Sequence, residues 1–104
     1  MQNKDMENQI IQTYQKDEKM MILVFAQWCI NHDIDPEQLY LTAYPQQESN
    51  QALKEALELT VSKEEAGFIP DDTLLGVLSM FGNEDLAFAV TEEISKRKKQ
   101  RKEN

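Results

Sequence analysis

One cysteine, one histidine, three glycines and three prolines are all that this chain of 104 residues holds of the residue types that most often carry covalent, metal or turn chemistry. Lone Cys29 excludes an intrachain disulfide and fits a reducing compartment. With His32 alone, no second imidazole exists for acid–base relay or metal ligation. The scarcity of Gly and Pro leaves few places to interrupt regular structure. Long hydrophobic runs are also missing. The most apolar stretch, Met20–Ala26, stops at Gln27, whereas a spanning helix needs roughly 20 such residues. The opening MQNKDMENQ does not resemble the basic start of a secretory signal. A soluble, cytoplasmic protein with no membrane partner is expected.

What remains suits one globular domain. At 40% hydrophobic and 29% charged, the chain can build a modest core without covalent staples. Its charge is strongly sorted. Residues 96–104, KRKKQRKEN, carry six basic groups beside Glu103, a net of +5. Residues 1–95 carry five basic and 18 acidic groups, a net of −13. The chain therefore reads as an acidic helical domain over 1–95 and a basic C-terminal tail over 96–104. Such asymmetry bears on association rather than on fold.

Helical periodicity dominates. Between residues 5 and 31, Met6, Ile10, Tyr14, Met21, Phe25 and Trp28 share one face, and only Asp17 interrupts the stripe. From Met20 to Ile30 the segment is apolar nearly all round, as expected of a central helix surrounded by others. Asp35 is an N-cap and Pro36 a first helical residue for a second helix over Pro36–Tyr44. A third helix starts near Ser49 with Leu53, Ala56, Leu57, Thr60 and Val61 inward, and Gly67-Phe68 is its expected left-handed stop with an apolar contact. Pro70-Asp71-Asp72 opens a fourth helix carrying Leu74, Val77, Leu78 and Phe81, which Gly82 ends. Asn83 caps a fifth, with Leu86, Ala89, Val90 and Ile94 buried and the basic end complementing the helix dipole. The fold class is all-α: a compact five-helix bundle with a long first helix and a basic helical C-terminal end.

An unbroken helix over residues 5–31 would run about 40 Å, longer than a domain of this size is wide. It either breaks near Asp17 or projects. A projecting half would leave Met6, Ile10 and Tyr14 for a second copy of the chain to cover, which makes a homodimer through the first helix one expectation.

Motifs for chemistry are weak. Cys29 and His32 stand one helical turn apart, but structural zinc takes four such ligands and no others exist. His32 is then simply a cation-compatible residue at a helix end. Asn31-x-Asp33-x-Asp35 imitates a calcium loop, yet the positions that need Gly and Glu hold Pro36 and Thr42. The fourth and fifth helices imitate a helix-turn-helix, but the second begins Asn83-Glu84-Asp85 and continues through Glu92 and Glu93, which would repel phosphates. The adjacent pairs Glu64-Glu65 and Asp71-Asp72 diverge on a helix. Neither a glycine-rich phosphate loop nor a nucleophile–base set is present. No enzyme, metal or cofactor is expected.

Two features point to partners. Phe88 lies opposite Leu86 and Val90 on its helix, so it marks a contact site unless another helix of the bundle covers it. The five methionines suit a groove, although Met20, Met21 and Met80 fall among core positions. Lys96, Arg97, Lys98, Lys99, Arg101 and Lys102 form a candidate phosphate clamp, a solvated helix end, or a tail folded onto acidic surfaces of its own chain or a neighbour. The reading favoured by these residues is a small non-catalytic protein-interaction or regulatory module acting through helix–helix contacts. The alternatives are a nucleic-acid- or ribosome-associated protein held by the tail, and an acidic inhibitor of a basic partner.

Overall fold

The computed structural model describes the backbone of residues 18–47 and 50–103 and side chains as far as Lys99. Five helices occur among these residues, with no strand. They are α1 over 18–31, α2 over Pro36–Ala43, α3 over Gln51–Leu59, α4 over Asp71–Met80 and α5 over Glu84–Glu103. Met6, Ile10, Tyr14 and the break considered near Asp17 lie outside the described residues. Among the described residues, no helix is long and apolar enough to cross a membrane.

α1 is the hub of one core. Six of the 15 buried hydrophobic residues belong to it, namely Met21, Ile22, Phe25, Ala26, Trp28 and Cys29, more than any other helix supplies. The all-round apolar pattern is thus satisfied by burial on several sides. Leu39 of α2, Leu53 and Ala56 of α3, Leu74 and Leu78 of α4, and Leu86, Ala89, Val90 and Ile94 of α5 close around it. α5 packs against both α2 and α4.

Both α1 and α4 end in the same way. Ile34 N–H bonds Cys29 C=O and Asp33 N–H bonds Ile30 C=O; Asn83 N–H bonds Leu78 C=O and Gly82 N–H bonds Ser79 C=O. These paired bonds need one left-handed residue each. Gly82 supplies it at φ 74 and Asp33, a non-glycine, at φ 58. α2 opens on Asp35, whose carboxylate accepts from the N–H groups of Glu37 and Gln38. α3 opens on Asn50, which accepts from Leu53 N–H.

Three expectations are corrected. α3 ends at Leu59, well before Gly67, because Thr60 turns extended and its hydroxyl bonds Leu57 C=O. Gly67 does not adopt positive φ, Phe68 is 82% exposed, and Thr60 and Val61 leave the inner stripe. Met20 and Met80 are exposed rather than packed; only Met21 of that group is in the core. Met20 precedes the first buried position of α1, and Met80 lies off the Leu74–Leu78 stripe. Asn83 does stand at the cap position of α5, its C=O accepting from Ala87 N–H, but its side chain goes to tertiary contacts, accepting from Tyr44 Oη and donating to Met21 Sδ.

Candidate functional site

Four polar or aromatic side chains from three helices converge beside the core. Trp28 is fully buried on α1, and an indole N–H taken from water requires an acceptor. It donates to Asp71 Oδ1 at 3.0 Å. The other carboxylate oxygen receives Arg97 Nη2. Asp71 is the first residue of α4, where a negative charge also meets the positive end of the helix dipole. Arg97 continues the inward stripe of α5 one turn beyond Ile94, so its aliphatic stem covers the core while the guanidinium reaches the edge.

His32, at the end of α1, completes the cluster. Its ring lies 4.7 Å from Trp28, tilted by 53°. Arg97 Nη1 sits 2.7 Å from Nδ1 and 3.2 Å from Nε2. A neutral imidazole carries one acceptor nitrogen and one N–H, so the guanidinium donates to a single ring nitrogen, the nearer Nδ1, with the proton on Nε2. That contact requires a neutral imidazole. Burial first, and then the Arg97 charge, push the His32 pKa down; Asp71 and Asp33 partly oppose this. The expectation of a cation-compatible His32 is therefore corrected: the cation at this end of α1 is Arg97.

One helical turn earlier, Cys29 is fully buried. Burial, with Glu93 and Asp35 adding to it, drives its pKa far upward, which keeps the thiol protonated and a poor ligand or nucleophile. No group of three metal-ligating side chains occurs among the described residues. A small cavity of about 50 Å³ among Met21, Phe25, Tyr40, Asn50, Asn83 and Leu86 has room for little beyond water, far below ordinary ligand pockets.

α1 also holds the segment between α3 and α4. Gln27 donates to Val61 C=O at 2.9 Å and accepts from Val61 N–H at 3.0 Å. Asn31 accepts from Gln27 and donates to Gly67 C=O. The polar residue that interrupts the apolar run thus stands in for a backbone partner to an irregular stretch of chain.

The opposite side of α5 is free of the core. Phe88 is 66% exposed, so none of the described helices covers it, against the option that another helix of the bundle does. With Thr91, Glu92, Ser95, Lys96 and Lys99 it lines a shallow open groove along the helix. Of the residues expected to form a phosphate clamp, Lys96 bonds Glu93 at 3.3 Å and Arg97 is taken by Asp71. Lys98 and Lys99 are exposed. The side chains of Arg101 and Lys102 lie outside the described residues. Among the four described, Arg97 is thus turned away from Lys98 and Lys99 towards the core's rim.

A family model for YxiS matches residues 2–95. The chain belongs to the YxiS family. A Bacillus subtilis (strain 168) relative described as "Uncharacterized protein YxiS" is 58% identical over 93 residues, covering 88% of this chain and 97% of the relative. No solved structure matches. The YxiS match includes Trp28, His32, Asp71 and Phe88 and stops just before Lys96 and Arg97. Asp71 and Trp28 were invisible as a pair in the sequence, since 43 residues separate them. The signal that could have found them was the indole itself: a buried Trp demands an acceptor, and acidic residues at helix openings are natural suppliers.

Proposed function

We propose that this YxiS-family chain is a small, non-catalytic interaction or regulatory module of the cytoplasm, working through helix–helix contacts with the outer face of α5 as its contact surface. Phe88 carries the reading. A large aromatic two-thirds exposed on a helix whose other face is committed to the core is suited to anchor in a partner's apolar pocket. The uncharged, buried or occupied state of the groups able to do chemistry agrees with it: Cys29 is protonated, and His32, Asp71 and Arg97 spend their polar atoms on one another. The lone cysteine fits a reducing compartment.

A photo-crosslinking residue placed at position 88 tests the reading in cells. Discrete adducts are expected there and not from the same residue at exposed Glu55 on α3. Equal, diffuse labelling at both positions would remove the reading. The nucleic-acid alternative retains Lys98 and Lys99 as exposed cations, and the inhibitor alternative retains the −13 of residues 1–95.

A further inference from the structure

The exposed stripe of α5 is ordered by charge. Glu84 and Asp85 stand at its N-terminal end, then Phe88, then Thr91 and Ser95, then Lys99, all exposed and all spaced by three or four residues. Acid at one end, basic at the other and an aromatic off-centre make a surface complementary to itself when reversed. Resting on the interaction-module reading, we infer that the partner of this face is a second copy of the chain, docked with α5 antiparallel to α5 about a two-fold axis near Thr91 and Glu92.

The geometry sets one register. A side-chain knob enters a hole bounded by residues i, i+3, i+4 and i+7 of the facing helix. Glu92, Ser95, Lys96 and Lys99 have this spacing and line the groove beside Phe88. Phe88 of one copy fits the hole of the other, with Ser95 small enough to admit the ring and the methylene stem of Lys96 to flank it. That register brings Lys99 of one copy level with Glu84 and Asp85 of the other, twice by symmetry. A two-fold contact requires this reciprocity. A parallel pairing would set Lys99 against Lys99 and the acidic turns against each other.

Sedimentation equilibrium of the full chain, from low to high micromolar concentration, tests the inference. Self-association is expected, weakened about tenfold or more by Phe88→Ser, with unchanged helical circular dichroism because position 88 is outside the core. Lys99→Glu alone, and Glu84→Lys with Asp85→Lys alone, are each expected to yield monomers. An equimolar mixture of those two variants is expected to restore a dimer, because both cross-pairs are then of opposite sign. Recovery in the mixture separates pairing from any loss of stability in the single variants. A wild-type chain that stays monomeric, or a dimer indifferent to Phe88→Ser and to the charge swaps, would overturn the inference. A monomer whose position 88 still crosslinks a different polypeptide sinks self-pairing and leaves the interaction reading standing. A monomer with no specific adduct at 88 sinks both.

Discussion

Arg97 and Asp71 lie 26 residues apart in the chain and meet as an ion pair at the rim of the core, their side chains 28% and 29% exposed. The same carboxylate satisfies the Trp28 indole N–H, so one acid joins α1, α4 and α5. Removing either charged partner leaves the other poorly solvated. Arg97→Ala and Asp71→Ala are each expected to cost about 1–3 kcal/mol, below the range for a fully buried pair because both groups keep some water. Urea denaturation of the two single variants and the double variant would measure the coupling. Strictly additive losses would show that the pair contributes nothing beyond its separate contacts.

The basic segment inherits a consequence. Cutting the chain after Ser95 removes Arg97 together with the lysines, so the truncated protein should lose stability comparable to Arg97→Ala. Lys98→Gln with Lys99→Gln should not. If the nucleic-acid alternative holds, this pair of substitutions also lowers the salt slope of binding by about one for each phosphate no longer neutralised. Equal stability of the truncated and full chains would show that the Arg97–Asp71 pair adds no stability.

His32 makes stability depend on pH in a defined direction. Its folded pKa lies below the ordinary imidazole value of 6.5, so the unfolded chain binds the proton more readily. The contribution is constant above about 6.5 and declines as pH falls below it towards the folded value. Denaturation midpoints should therefore drop as pH falls below about 6.5 in the wild type and less steeply in His32→Gln. A proton NMR titration of the His32 ring with a midpoint above 6.5 would reverse the sign.

Cys29 should resist thiol reagents in the native state. Its side chain is buried and held protonated, so modification by a maleimide awaits opening of the core. The labelling rate should rise with urea along the unfolding curve. Immediate labelling of the native protein would place the thiol at the surface instead.

The two left-handed helix ends give opposite results on substitution. A Cβ at Gly82 would meet nothing within 4 Å, so the cost of Gly82→Ala is the backbone conformation alone, about 1–2 kcal/mol. Asp33 already bears that strain at φ 58, while Lys63 pairs with it at 2.7 Å on the exposed surface. Asp33→Gly relieves the backbone and loses only an exposed ion pair, so its melting temperature should equal or exceed that of the wild type. A clear decrease would mean that the Lys63 contact outweighs the strain.

Local signals determined much of this protein. The apolar spacing of Leu74 and Leu78, of Leu86 and Val90, and the unbroken grease of α1 prescribe helices and their inward faces, because a period of 3.6 is written in neighbouring residues. Asp35 before Pro36 and Gly82 after α4 mark boundaries for the same local reason. Where α3 stopped took tertiary structure as well as the local Thr60 cap, since Gln27 and Asn31 supply hydrogen bonds that let residues 60–67 leave the helix. Tertiary structure also decided that Arg97 belongs to the core's rim while Lys98 and Lys99 face water. Neighbouring cations look alike in a sequence; only the docking of α5 on α2 and α4 distinguishes the one that points towards Asp71.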